Sequence, residues 1–173
     1  MKTGLPALRV LIADDNEAAR TLLAGILRGV GITQIRQAEN GRDAFEGLRH
    51  SAPDLAFVDL NMAPVDGIEF TRLVRTAPNS PEPYLPIILL TAAAQIRRIQ
   101  EARDAGVNEV LVKPAAPKVV VERLRFVIES KRGFVRSDSY VGPDRRRRAA
   151  PNYQGPWRRE GDPRPKTTAA SAG

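Results

Sequence analysis

The chain has 173 residues, 27 Lys and Arg against 20 Asp and Glu, no Cys and a single His, His50. That excludes a disulfide framework, a thiolate nucleophile or metal site, and a histidine-rich metal centre. The longest strongly apolar run, residues 85–90, falls far short of the roughly 20 residues that span a bilayer, and the amino terminus has no secretory-type apolar stretch. A cytoplasmic protein without membrane insertion is therefore expected.

The net charge of +7 is unevenly distributed. Residues up to Arg132 carry +2, and the last 41 carry +5. The reading is of one domain over 8–132 and an arginine-rich, Pro/Gly-rich tail over 133–173. The tail has no Leu, Ile or Met and five each of Gly and Pro, so it is expected to be disordered until a ligand orders it.

In chain order, Arg9–Ala13 predicts a strand apolar on both faces, as parallel sheets require. Asp15 or Asn16 caps a helix whose apolar positions Ala19, Leu22, Leu23, Ile26 and Leu27 recur at helical spacing, and Gly29 and Gly31 stop it. Residues 35–38 form a weaker strand, and 41–48 a short helix with His50 as its carboxyl-terminal cap. Residues 55–58 and 86–90 are central strands, 110–112 the last strand, and 117–129 the closing helix. Five strands, each followed by a helix, imply an α/β doubly wound parallel sheet, a (βα)5 fold.

Such sheets bind ligands at the carboxyl ends of their strands. The strands end in Asp14-Asp15, Asp59, Thr91 and Lys113-Pro114, so three carboxylates, a hydroxyl and an ammonium converge on one edge. Carboxylates about 4 Å apart repel by roughly 4 kcal/mol at an effective dielectric of 20, and a cation must sit among them. Hard oxygen ligands suit Mg²⁺, and the set matches what an aspartyl-phosphate requires. Asp59, after the central strand, is the best nucleophile candidate.

These segments (Val10 to Asp15, Phe57 to Met62, Asp66-Gly67, Leu90-Thr91-Ala92 and Val112-Lys113-Pro114) resemble the receiver domain of two-component response regulators of the CheY type. The resemblance covers roughly residues 8–131 and implies the flavodoxin-like strand order 2-1-3-4-5. It further implies that Asp59 is the phosphoacceptor and that Mg²⁺ is held by Asp14, Asp15, Asp59 and the carbonyl of Asn61. Thr91 and Lys113 would contact the phosphoryl group, and Lys113-Pro114 would be cis. Two positions depart from the family pattern. Val110 stands where Tyr or Phe usually couples to the Thr, so no large ring is present to swing. Ala63 separates Met62 from Pro64, where the Pro usually follows Met directly.

The tail contains a repeat. Tyr140-Val141-Gly142-Pro143-Asp144-Arg145-Arg146-Arg147 is echoed 13 residues later by Tyr153-Gln154-Gly155-Pro156-Trp157-Arg158-Arg159-Glu160. Charge alone gives no reason to keep Tyr, Gly, Pro and two Arg in register. Arg forks read guanine and phosphate, aromatic rings stack on purines, and Asp144 can accept from guanine N–H donors. Two like units suit a ligand with two guanine–phosphate halves, cyclic di-GMP. Its expected contacts are Tyr140, Gly142, Asp144, Arg145, Arg146, Arg147, Arg148, Tyr153, Trp157, Arg158 and Arg159.

A CheY-like domain with a Gly-Pro-Asp-Arg-Arg-Arg-Arg tail resembles the Cle proteins, CheY-like cyclic di-GMP effectors of the flagellar motor. That resemblance implies a monomeric, non-enzymatic effector docking on a motor switch protein at the flagellated pole, controlling motility and surface attachment. The alternative is a conventional regulator phosphorylated on Asp59 by a histidine kinase, with an incidental tail. A tail that binds RNA, anionic lipid or an acidic protein surface by charge is also open. A DNA-binding output is not expected, because 41 apolar-poor residues are too few for such a domain.

Overall fold

The computed structural model describes residues 4–92, 96–130, 133–137 and 140–144. After a 3₁₀ turn at Leu5–Ala7, the chain alternates β1 (Arg9–Ala13), α1 (Glu17–Gly29), β2 (Gln34–Ala38), α2 (Gly41–Gly47), β3 (Leu55–Asp59), α3 (Gly67–Thr76), β4 (Ile87–Thr91), α4 (Ile96–Ala105), β5 (Glu109–Val112) and α5 (Pro117–Glu129). Two further strands follow, β6 (Phe134–Ser137) and β7 (Tyr140–Pro143).

The first five strands are parallel in the order β2-β1-β3-β4-β5. That is the expected doubly wound sheet. Strand alternation divides its core in two. Leu11 and Ala13, Ala56 and Val58, and Ile87 and Leu89 face the layer with Phe70, Val74 and Ala102 of α3 and α4. Val10 and Ile12, Leu55 and Phe57, and Ile88 and Leu90 face Leu23 and Leu27 of α1 and Leu124 and Val127 of α5. With β3 fully buried between both layers, its last residue is fixed in position by the whole sheet.

Helix starts follow the cap chemistry. Asn16 caps α1, its side chain accepting from the Ala19 amide, which resolves the choice between Asp15 and Asn16. Asp66 caps α3 by accepting from the amides of Ile68 and Glu69. At the end of α2, the Gly47 carbonyl accepts from the Arg36 guanidinium at 3.0 Å, while His50 contributes only its backbone N–H at 3.1 Å. The expected histidine cap is thus made chiefly by Arg36.

The tail departs from expectation at its start. Strands β6 and β7, within the first residues assigned to the tail, pair antiparallel, with Phe134 opposite Pro143 and Ser137 opposite Tyr140. It docks at the amino ends of β4 and β5. Arg75, at the end of α3 and only 3% exposed, ties together the loops before β4 and β5 on which the hairpin rests, and meets the hairpin itself at Phe134. Its guanidinium donates to the carbonyls of Gly106 (3.0 and 3.1 Å), Pro83 (2.8 Å) and Leu85 (2.8 Å), and its Cζ lies 5.0 Å from the Phe134 ring centroid. Tyr84 meets the same ring edge-on at 5.2 Å. Burial pushes the Arg75 guanidinium down to about 10, so it remains a cation at neutral pH. Phe134, Tyr140 and Val141, half-buried, and the buried Pro143 give the segment enough to pack, which a count of Leu, Ile and Met overlooks.

Candidate phosphoacceptor site

Four strand ends build the site. Asp14 follows β1, buried, with Oδ1 accepting from the Asn16 amide at 2.9 Å. Its carbonyl accepts from Arg20 at 2.7 Å, and Arg20 also reaches Glu39 at 3.5 Å. Asp15 beside it is exposed. Asp59, the last residue of β3, is 5% exposed, and its Oδ2 accepts from the Asn61 amide at 2.8 Å. Carboxylate oxygens of Asp14, Asp15 and Asp59 all lie within 4.8 Å of one another.

Lys113 is the cation among them. Its Nζ is 3.0 Å from Asp14 Oδ2 and 2.5 Å from Asp59 Oδ1. The Lys113 amide donates to the carbonyl of Thr91 at 2.7 Å, which ties the ends of β4 and β5 together. Thr91 is itself buried, and Lys113-Pro114 is cis, as the resemblance implied. The peptide Ala63-Pro64, where the chain shifts the family's proline by one, is cis as well.

Burial lifts the Asp59 carboxyl above the usual carboxylate range, helped by the nearby Asp14 charge; Lys113 opposes this without overcoming it. For Lys113, burial works to lower the ammonium, but the hydrogen bonds and charges of Asp59 and Asp14 outweigh it and hold it above its ordinary value. Three clustered carboxylates with one ammonium leave negative charge uncompensated, and hard oxygen donors around an open edge fit Mg²⁺. Asp14, Asp15 and Asp59 would hold it.

Every expected residue of this site (Asp14, Asp15, Asp59, Asn61, Thr91 and Lys113) sits at the same sheet edge. Val110 faces Leu89 across the β4–β5 ladder and packs, partly buried, on the α3/α4 side of the core. Sequence reasoning did not single out the pair that braces the site from the side. Asp66, the α3 cap, takes Arg98 of α4 at 2.9 Å, and Arg98 also pairs with Glu101 at 3.1 Å. Burial raises the Asp66 carboxyl, but the Glu69 amide and Arg98 together outweigh it and hold the group below its usual range. Asp66-Gly67 was read only as a segment of the family resemblance; neither its cap role nor its arginine partner, 32 residues away, was foreseen. Asp66→Ala should lose the cap and leave Arg98 paired with Glu101 alone, costing about 1 kcal/mol in urea-unfolding stability.

The match to known proteins agrees with this geometry. Residues 10–125 match the response regulator receiver domain family. The chain belongs to that family. Among related receiver proteins, the chemotaxis protein CheY of Pseudomonas aeruginosa is 32% identical over 73% of this chain and 100% of its own length. CheY-3 of Vibrio cholerae is 30% identical over 70% of this chain and 92% of its own. Of solved receiver structures, Vibrio cholerae CheY4 superposes with a TM-score of 0.64 at 29% identity, covering 69% of this chain and 98% of that one. A receiver domain of a Pseudomonas aeruginosa sensor histidine kinase, solved with magnesium coordinated in its active-site cleft, gives 0.64 at 27% identity, covering 71% and 98%.

The residues expected to contact cyclic di-GMP stand differently. Arg145, Arg146, Arg147, Arg148, Tyr153, Trp157, Arg158 and Arg159 lie outside the described residues. Of the other three, Tyr140 and Gly142 are taken into the packing of β7: the Tyr140 hydroxyl donates to the Pro143 carbonyl at 2.8 Å, and Gly142 is buried. Asp144 closes the hairpin with its amide on the Gly133 carbonyl at 2.8 Å. No helix among the described residues is long and apolar enough to cross a membrane.

Proposed function

We propose that this protein is a CheY-type regulator that accepts a phosphoryl group on Asp59 and passes the signal to a partner protein of the chemotaxis or motility machinery. The observation that carries the reading is Lys113 bridging Asp14 and Asp59 at 3.0 and 2.5 Å beside the exposed Asp15. An Asp59 carboxylate oxygen attacks phosphorus of a phosphohistidine or acyl phosphate. The bond from phosphorus to the donor breaks, its electron pair leaves with the donor, and Asp59 becomes an acyl phosphate. Mg²⁺, when bound, neutralises developing charge on the phosphoryl oxygens. Lys113 is placed to take up a phosphoryl oxygen once Asp59 Oδ1 is esterified, and Thr91 lines the same edge. The protein turns over no substrate of its own; it is a switch rather than an enzyme.

Acetyl phosphate with Mg²⁺ tests this by intact mass. The wild type should gain one phosphoryl group, and chelation should prevent it. Unchanged mass with Mg²⁺ present would overturn the reading.

A second input is favoured by one observation, the register-true recurrence of paired arginines after Gly-Pro in both tail units. On this reading the tail takes cyclic di-GMP, whose two guanine–phosphate halves match two Arg forks, and the ligand promotes docking to a flagellar motor switch protein. Calorimetry against cyclic di-GMP, cyclic di-AMP and GTP at two salt concentrations reads it directly. Cyclic di-GMP should bind at least tenfold tighter than the other two, with Arg145→Ala and Arg158→Ala each weakening it. Equal affinities that vanish with salt would leave plain polyanion attraction.

A further inference from the structure

Arg20 stands where the fold would place a hydrophobe. On α1 it shares the buried stripe with Leu23, Ala24 and Leu27, at helical spacing, and its side chain is 8% exposed. Arginine is rarely buried to this degree unless paired, and here one donor goes without a partner: Nε is buried with no acceptor among the described residues. An orphaned buried donor costs roughly 1–3 kcal/mol, so stability gives little reason to keep the residue. Its Nη1 supplies another reason. That atom donates to the Asp14 carbonyl at 2.7 Å, while Nη2 lies 3.5 Å from Glu39 on the loop after β2.

The three carboxylates of the phosphoacceptor edge are not held alike. Asp14 is gripped at both oxygens, Oδ1 by the Asn16 amide and Oδ2 by Lys113. Asp59 is gripped at both as well, Oδ1 by Lys113 and Oδ2 by the Asn61 amide. No hydrogen bond among the described residues reaches the Asp15 carboxylate, yet its oxygen lies within 4.8 Å of those of the other two. Its place is set by the backbone. The peptide after Asp15 is held by its N–H, which the Asn16 amide donates to Asp14 Oδ1. The peptide before it is held by its carbonyl, the oxygen that takes the Arg20 bond. With both flanking planes fixed, the direction of the Asp15 side chain is fixed too.

We propose that Arg20 is a positioning residue for the cation pocket: by holding the Asp14 carbonyl it aims the Asp15 carboxylate at a Mg²⁺ shared with Asp14 and Asp59. Charge works the other way. A guanidinium bonded to the backbone of that pocket repels Mg²⁺, so an Arg20 acting through charge alone would, once removed, leave binding tighter. Positioning and charge therefore predict opposite signs. The inference rests on the Mg²⁺ site described above.

Titration of the full chain with Mg²⁺, followed at the Asp15 and Asn16 amides by NMR, reads affinity without phosphoryl transfer. Arg20→Met keeps an unbranched stem and drops the donors. Its Mg²⁺ dissociation constant should rise about tenfold, as loss of groups that orient metal ligands commonly does. Arg20→Lys keeps the charge and a single flexible donor, should weaken binding about threefold, and serves alone should Arg20→Met unfold. In an Asp15→Asn background, Arg20→Met should change the affinity by less than about twofold, because the carboxylate it aims is gone. Either single variant binding Mg²⁺ as tightly as the wild type, or more tightly, would overturn the proposal. So would the full loss recurring in the Asp15→Asn background. A wild-type chain that takes no Mg²⁺ would overturn both this inference and the site it rests on, whereas the other outcomes leave that site standing.

Discussion

Asp59→Asn should abolish phosphoryl uptake from acetyl phosphate and Mg²⁺ altogether while leaving the domain folded. The amide keeps the shape of the side chain and can still accept from the Asn61 amide, which holds Asp59 Oδ2 at 2.8 Å. It removes the nucleophilic oxygen, one of three clustered carboxylates and half of the grip on Lys113. Stability should hold or rise. Burial and Asp14 lift the Asp59 carboxyl in the folded protein, so folding opposes its ionisation at neutral pH, and a neutral amide escapes that cost. Intact mass read beside a urea titration therefore separates loss of chemistry from loss of fold. Residual labelling of Asp59→Asn at the wild-type rate would place the acceptor elsewhere. The arrangement is a familiar exchange of stability for function, with a charge kept where the fold disfavours it.

Arg75→Ala should cost about 3 kcal/mol in urea unfolding and release the hairpin. Three carbonyls, of Gly106, Pro83 and Leu85, lose their donor at once, and each orphaned buried acceptor costs roughly 1–3 kcal/mol unless water reaches it. The Phe134 ring loses the cation at 5.0 Å as well. Arg75→Lys should recover only part of this, because a point charge on a flexible stem cannot span carbonyls that the planar fork reaches together. Amide hydrogen exchange provides the local readout. Protection of the amides of β6 and of residues 140–142 should vanish in Arg75→Ala, while β3 keeps its own. Protection of the hairpin unchanged from wild type would show that Arg75 is not its fastening.

The sheet and the phosphoacceptor edge were legible in the sequence because each signal there is local. Buried parallel strands read as continuous apolar runs, and each ends in one polar residue. Topology alone carries Asp14, Asp59, Thr91 and Lys113 to one edge. Arg75 was not legible. Within α3 it reads as one more basic residue on an amphipathic helix, and its partners are backbone carbonyls, which have no sequence signature. The hairpin was missed for a related reason. Composition averaged over 41 residues hid the short runs Phe134–Ser137 and Tyr140–Pro143, whose apolar residues are aromatic and β-branched rather than Leu or Ile. The Tyr-x-Gly-Pro repeat was seen, but Gly142 was read as a cyclic di-GMP contact, whereas it packs against the backbone of Gly106.

The composition of the Arg75 fastening has a consequence for acid. Its partners are carbonyls and an aromatic ring, none of which takes up a proton at any pH the protein survives. The phosphoacceptor edge, by contrast, is held together by carboxylates, one of them already lifted toward protonation. Acidification therefore disarms the molecule from one end: Asp59 neutralises, Lys113 loosens, and phosphoryl chemistry stops, while the far edge stays latched.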